Sequence, residues 1–417
     1  MIRIHDRRLL MNKTESFRTS SGMLRAVELL EAALEDPAEL PNTLPAAGIG
    51  EMDALEEMAP WVLCGAERLD APTSLAHMDP PTPWISWAMS LWNARLNQNL
   101  LHAATSPFAG IAEARVIDWL SPLYGMNGGH FCAGSTIGNL TAIWAARDAA
   151  GATTVVASKA AHLSVRKAAR LLGMEFRAVG TDALDRINPD EIGDLSGACL
   201  VLTAGSTSAG AIDDLSIEYG ANWTHVDAAW AGPLRLSRRY GDLLQGIDKA
   251  DSISISAHKW LFQPKDSAIV LFRDVDRANA AISIDGSYLA TPNVGVQGSR
   301  GAAAIPLLAT LLAWGRDGMA EHIDSSMDIA DALYRRLEDN PNIETRHPPQ
   351  SGINLFASTA ELPDKLLEEL PPGMFSRATI NDRSWLRSVA ANPLADVDRI
   401  IAGLESVMAA CDPSSTS

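Results

Sequence analysis

Lys259 stands in Ser256-Ala257-His258-Lys259-Trp260, directly after the run Ser252-Ile253-Ser254-Ile255. A lysine at a strand end ordinarily emerges into solvent. Held in a partly desolvated pocket, its amine loses basicity and can attack a carbonyl. Asp227 also follows an apolar run, in Thr224-His225-Val226-Asp227-Ala228-Ala229-Trp230. One role for such an acid is to cap a helix; another is to pair with a flat cationic ring resting on the alanines, as a pyridinium nitrogen requires. The stretch Ala133-Gly134-Ser135-Thr136-Ile137-Gly138-Asn139-Leu140 opens a helical pattern. Small and hydroxyl residues at a helix start offer free N–H groups and a favourable dipole to a phosphate, although neither a Walker lysine nor the dinucleotide glycine pattern is present. His162 follows another strand pattern, where it either caps a helix or stacks on a planar group. Gly205-Ser206-Thr207-Ser208-Ala209-Gly210 makes a second hydroxyl-rich loop after Leu200-Val201-Leu202. Each has a bland reading alone. Together they are the parts of a pyridoxal phosphate site.

The elements that must position them alternate. Short β-branched runs over 153–157, 198–203, 223–226, 252–256 and 268–272 are interleaved with helical patterns over 139–149 and 163–172. This rhythm predicts an α/β unit with a mostly parallel central sheet, whose ligands bind beyond the C-terminal strand ends. Residues 1–20 read as a tail outside the fold: they are basic but lack the apolar core of a secretory signal, and Met11 offers an alternative start. Residues 21–78 form a helical N-terminal segment, and 79–304 the large cofactor-binding domain, opened by the rigid Asp79-Pro80-Pro81-Thr82-Pro83. The Trp-rich stretch up to Asn99 suits a long buried helix. Residues 305–417 form a small α+β C-terminal domain, with strands over 354–357 and 385–389 and a last helix over 397–410.

Composition narrows the function classes. A formal net charge of −17 disfavours nucleic acid and anionic membrane as partners, and 47% hydrophobic residues suffice for a core. The apolar runs fall short of the ~18 residues a membrane span needs. Cys64, Cys132, Cys199 and Cys411 are widely separated, which indicates neither a disulfide framework nor a zinc site and fits the reducing cytoplasm.

Several ordered motifs give the chain a family resemblance over roughly residues 77–318. His258-Lys259-Trp260-Leu261-Phe262 and the following Val270-Leu271-Phe272-Arg273-Asp274, together with His225-Val226-Asp227-Ala228-Ala229-Trp230, are similar to signatures of the group II pyridoxal-phosphate-dependent amino-acid decarboxylases. Asn97-Gln98-Asn99, Ser106-Pro107, Asn139-Leu140 and the helix after His162 resemble further stretches of that family, as more weakly do Trp385-Leu386-Arg387 and Asn392-Pro393. The resemblance implies fold type I, the aspartate-aminotransferase-like arrangement, with pyridoxal 5′-phosphate as cofactor and a homodimer with sites at the interface. It implies that Lys259 binds the cofactor covalently and Asp227 pairs with the pyridine nitrogen. His162 and Ala229 would cover the two ring faces, and Ser135, Thr136, Ser256 and His258 would hold the phosphate. Ser206 or Thr207 would lie near the cofactor hydroxyl or the substrate carboxylate, which Arg387 would approach. Two departures stand out. The segment after the lysine is compact, and its one tyrosine before Gly301, Tyr288, lies at the lead-in to the loop that bears the family's proton donor. The implied reaction is α-decarboxylation of an L-amino acid to an amine. Oxidative deamination to an aldehyde, desulfuration, transamination, or a degenerate cofactor-binding protein are the alternatives. Asp79, Pro81, Trp84 and Trp87 are placed to line the entrance, and their types leave acidic, aromatic and aliphatic side chains all open.

Overall fold

A computed structural model describes residues 17, 20–32, 34, 39–40, 42–287, 289, 291–359 and 363–411. Most of the expected 1–20 tail, and Tyr288, lie outside the described residues. The chain forms two compact units, Met1–Arg68 and Leu69–Ser417. In the first, α1 (Met23–Leu29) and α2 (Glu51–Ala59) are tied by Arg25 Nε to Glu56 Oε1 at 2.6 Å, and α2 runs on into a wider turn at Pro60–Cys64.

The second unit begins at Leu69, ahead of the proline-rich turn. Pro83 precedes α3 (Trp84–Leu96), which buries only Ser86; Trp84, Trp87, Leu91, Trp92 and Leu96 are exposed. The sequence predicted a buried helix here. The apolar residues are present, but among the described residues they remain exposed.

After α4 (Pro107–Leu120), the central sheet assembles from β1 (Gly128–Cys132), β2 (Thr154–Ser158), β3 (Glu175–Val179), β4 (Ala198–Thr203), β5 (Trp223–Asp227), β6 (Ser252–Ser256) and β7 (Ala268–Phe272). Their order is β1-β7-β6-β5-β4-β2-β3. β3, β2, β4, β5 and β6 are mutually parallel, while β7 runs antiparallel to both β6 and β1. Alternation along each strand splits the core. Val156, Leu200, Leu202, Val226, Ile253 and Ile255 pack on the face covered by α4 and the long helix α8 (Ala304–Glu338). Val155, Ala157, Cys199, Val201, Val270 and Phe272 pack on the other, beneath α5 (Ser135–Ala150), α6 (Leu163–Leu171) and α7 (Val275–Ile282). Burial on both faces is why β4, β6 and β7 are buried throughout.

α8 breaks at Gly315, whose φ of 65° and ψ of −172° are open only to glycine. It leads into an antiparallel sheet ordered β10-β11-β13-β12, from β10 (Ile343–Thr345), β11 (Ile353–Ser358), β12 (Ser376–Ile380) and β13 (Arg383–Val389). α9 (Pro363–Glu369) and α10 (Val397–Cys411) complete this layer. Leu75 belongs to it as well: its N–H donates to Gly373 O at 2.9 Å and its carbonyl accepts from Val389 N at 2.7 Å.

Candidate active site

The parallel strands point their C-terminal ends at one cleft. β5 delivers Asp227 there, 4% exposed, with Oδ1 accepting from Ala229 N at 3.2 Å and Oδ2 from Asn139 Nδ2 at 2.8 Å. Asn139, one turn into α5 and fully buried, is the hub. Its Nδ2 also donates to Ser164 Oγ at 2.9 Å, while Oδ1 accepts from His225 Nε2 at 3.0 Å and from the Ser254 hydroxyl. Ser164 N–H donates to His162 Nδ1 at 3.3 Å and its hydroxyl lies 2.8 Å from the same nitrogen, so in the neutral ring Nδ1 accepts and the proton sits on Nε2. His225 Nε2 donates to Asn139 Oδ1, and its Nδ1 lies 2.9 Å from Ser252 Oγ, which takes Trp223 Nε1–H at 2.8 Å, and 3.2 Å from Ser252 O. Burial holds His225 neutral, pushing its pKa down to about 4 against the pull of Asp227. Serines at 252 and 254 of β6 point toward α5 and its polar network, and the isoleucines between them point into the opposite core.

Lys259 lies in the tight turn after β6, with its N–H on Ser256 O at 3.3 Å and its carbonyl taking Phe262 N at 2.8 Å. Burial lowers the pKa of its amine. Asp227 and Asp79 oppose that shift, while Lys265 and Arg387 add to it. His258 is pushed down to about 4, by burial first and then by Lys265 and Lys259. His162 is also lowered, by burial first, with Asp227 opposing and Lys259 assisting. Opposite this turn, α5 begins at Ser135 behind Gly134, whose φ of 90° turns the chain and whose absent side chain would stand 3.6 Å from His258 Cε1. The first-turn N–H groups of Ser135 and Thr136 have no intrahelical acceptor.

The small domain completes the cleft from β13. Arg387, 9% exposed, donates from Nη1 to Thr207 O at 2.8 Å and from Nη2 to Ala76 O at 3.1 Å. Ser206 Oγ is engaged by Ala211 N at 3.1 Å, whereas Thr207 is half-buried on the wall of a cavity of about 610 Å³ shared with His162, Lys159 and Asp185. Two tryptophans clamp the domains. Trp230 and Trp260 stack with ring centroids 4.1 Å apart, Trp230 Nε1 donating to Ser351 O at 2.7 Å and Trp260 Nε1 to Ala390 O at 3.0 Å. They stand three residues after Asp227 and one after Lys259. Gly205 has to be glycine for this clamp to close, since a Cβ there would sit 2.7 Å from Trp230 Cδ1.

Orphaned polar atoms test the cleft for a phosphorylated pyridine. Ser256 Oγ, His258 Nδ1, Thr203 Oγ1 and Arg387 Nε are buried without a partner. They flank Lys259 and Asp227, and a ligand rich in acceptors satisfies them. The residues fit the group. Lys259, Asp227, His162, Ala229, Ser256, His258 and Thr207 stand at strand ends or on the loops after them, Ser135 and Thr136 in the first turn of α5, and Arg387 within β13. Pro81 is half-buried in the segment leading to α3, and Trp84 at the start of that helix is 70% exposed. Asn139 and Ser164 lie in stretches that resemble the family, but the sequence does not show that they bond to each other, to Asp227 and to His162, or that Ser254 joins them through Asn139.

Residues 36–356 match the pyridoxal-dependent decarboxylase conserved domain. L-2,4-Diaminobutyrate decarboxylase from Rhizobium meliloti (strain 1021) is 31% identical over 76% of this chain and 70% of the relative. The enzyme of the same name from Acinetobacter baumannii is 26% identical over 97% and 95%. Among solved structures, Catharanthus roseus tryptophan decarboxylase in complex with L-tryptophan superposes with a TM-score of 0.82 at 19% identity, over 96% of this chain and 98% of that one, a likeness of fold. The chain belongs to the pyridoxal-dependent decarboxylase family. Its cofactor is pyridoxal 5′-phosphate and its reaction the decarboxylation of an amino acid.

Proposed function

We propose that this protein carries out α-decarboxylation of an L-amino acid at a site divided as follows. Lys259 holds the cofactor covalently and yields it to the substrate amine. Asp227, locked by Asn139 and Ala229 N–H, pairs with the pyridine nitrogen. His162 covers one ring face and Ala229 the other. Ser135, Thr136, Ser256 and His258 hold the phosphate, Thr207 stands by the cofactor hydroxyl, and Arg387 receives the substrate α-carboxylate. When bound, the cofactor supplies an electron sink for the pair left at Cα as CO₂ departs. The residues around it exclude water and keep the lysine amine poorly protonated, hence nucleophilic. His162 in its doubly protonated form and Tyr288 are the two groups the sequence offers to return a proton to Cα.

The observation that carries this reading is a half-buried lysine of lowered basicity just past β6 and, at the end of the neighbouring strand β5, an aspartate fixed from behind. A homodimer is supported by the uncovered face of α3, where Trp84, Trp87, Trp92 and Leu96 are 70%, 54%, 59% and 61% exposed, an apolar patch of the kind that marks an interface. A reducing, cytoplasmic setting is supported by the free thiols of Cys64, Cys132 and Cys199. Among the described residues no helix is long and apolar enough to cross a membrane.

The test is the visible spectrum of the purified holoenzyme, followed by CO₂ detection with single amino acids. A cofactor band with CO₂ release that Lys259→Ala abolishes is the expected result. Aldehyde or sulfide in place of CO₂, or undiminished turnover in Lys259→Ala, would overturn it.

A further inference from the structure

Four charged groups act on the Lys259 amine: Asp227, Asp79, Lys265 and Arg387. The general parts of the reaction occupy two of them, since Asp227 serves the pyridine nitrogen and Arg387 the α-carboxylate. Asp79 and Lys265 remain. They form an ion pair, Lys265 Nζ on Asp79 Oδ1, that neither the cofactor nor the common portion of an amino acid needs. Both ends are fixed beside the reacting centre. Lys265 belongs to the loop that carries Lys259, folded back on itself by Ala257 N–H and His258 N–H donating to Ser267 O at 3.0 and 3.2 Å. Asp79 lies three residues after Ala76, whose carbonyl accepts from Arg387 Nη2 at 3.1 Å. Three residues span at most about 11 Å, so Asp79 stays within that reach of the residue whose carbonyl holds Arg387.

The two partners are not equally free to move. Asp79 is followed by Pro80, Pro81 and, after Thr82, Pro83, which restrict the backbone, and its side chain is 38% exposed. Lys265 sits on a flexible stem and its side chain is 59% exposed. An incoming ammonium can replace the lysine ammonium on a carboxylate that stays where it is. An incoming carboxylate would have to dislodge Asp79, which has no such freedom, or lie against it at the cost of like-charge repulsion. An exposed pair of this kind is weak and opens readily, and the net charge of −17 draws cations to the protein.

We infer that Asp79 is the specificity-determining residue and that the substrate is a short L-diamino acid, whose terminal ammonium displaces Lys265 from Asp79. This rests on the decarboxylase reading for its α-amino and α-carboxylate contacts, and it adds the side chain. The relatives named for L-2,4-diaminobutyrate are consistent with it.

The experiment titrates the holoenzyme with L-2,4-diaminobutyrate, L-ornithine, L-aspartate, L-leucine and L-tryptophan, reading binding from the cofactor absorbance and turnover from CO₂. A diamino acid should bind at least about tenfold more tightly than L-aspartate or the neutral acids. Asp79→Asn should erase that preference, and Lys265→Met, which frees the carboxylate, should tighten diamino-acid binding. Preferred binding of L-aspartate or of a neutral acid, or a diamino-acid preference unchanged in Asp79→Asn, overturns the inference. Asp79-dependent binding of a diamino acid without CO₂ release upholds the recognition and sinks the decarboxylase reading. CO₂ from another amino acid, with no diamino acid bound, does the reverse.

Discussion

Removing the Asn139 side chain should reach both stability and cofactor binding, because one fully buried amide satisfies four partners. Its bond to Asp227 is charge-assisted, about 2 kcal/mol, and those to Ser164, His225 and Ser254 are neutral, about 1 kcal/mol each. Asn139→Ala should therefore destabilise the protein by about 5 kcal/mol if water does not enter, and by about 3 kcal/mol if one molecule partly refills the space. Ser164→Ala removes one donor to His162 and one acceptor for Asn139 and should lose about 1–2 kcal/mol. The functional consequence is separate. Without Asn139 the aspartate keeps only the 3.2 Å contact from Ala229 N and can rotate away from the position in which it meets the ring nitrogen. Equilibrium urea denaturation of the apoproteins would give the stability order. Spectrophotometric cofactor titration would give affinity, expected to weaken at least about tenfold in Asn139→Ala. The reasoning fails if Asn139→Ala is no less stable than Ser164→Ala, or binds the cofactor as the parent does.

Other substitutions address separate parts of the molecule. Arg387→Gln takes a guanidinium from a buried position and should raise KM by at least about thirtyfold, more than it lowers kcat; an unchanged KM removes Arg387 from carboxylate binding. His347 Nε2 lies 3.2 Å from Asp185, which also receives both arms of Arg346 at 2.7 Å, an ion cluster joining the large domain to the small one. The hydrogen bond to Asp185 raises the His347 pKa, with burial opposing. For Asp185 burial pushes upward, but the bonds to His347 and Arg346 outweigh it and the pKa falls. The histidine's stabilisation, about 2 kcal/mol for a charged hydrogen bond, is fully present below its unfolded pKa of 6.5 and fades as pH rises through the folded value. Asp185 contributes above its unfolded value of 3.8, and that contribution is lost as pH falls through its lower folded value. Thermal denaturation of His347→Gln should lack the loss of stability that the parent shows above neutrality, and an identical pH profile would refute this. Leu91→Glu combined with Trp92→Glu should turn a dimer into a monomer in sedimentation analysis, and a dimer that survives both charges would move the interface off α3.

Much of this arrangement was legible in the sequence because it obeys local rules. A short apolar or β-branched run bounded by polar or turn residues marks a strand locally, which is why 198–203, 252–256 and 268–272 match their strands residue for residue, with Asp227 ending β5 and Lys259 just past the neighbouring β6. Other features depend on distant partners and left no local mark. β1, with two glycines, and β3, with charged residues at 175 and 177, lack a strand pattern and exist because neighbours pair with them. Ser206 and Thr207 both line the same cavity and differ in what holds them: Ala211 N–H takes the Ser206 oxygen, a contact that the turn sets and the sequence does not show. For α3 the composition was read correctly and the burial was not, because hydrophobic content does not say whether the fold itself covers a helix.

The position of β1 has a consequence for how the protein is made. Gly128 to Cys132 pair only with residues 272 to 268, on the far side of five intervening strands. During synthesis the turn at Gly134 therefore leaves the ribosome long before the strand that anchors it, and stays without its sheet until Phe272 has emerged. Cofactor capture is thereby postponed until the large domain's sheet can close, and chains truncated before β7 should accumulate as species that neither fold nor bind the vitamin-derived group. Nascent molecules thus carry a built-in delay between exposing the Gly134 turn and completing the sheet behind it, while Lys259 emerges only 13 residues ahead of Phe272.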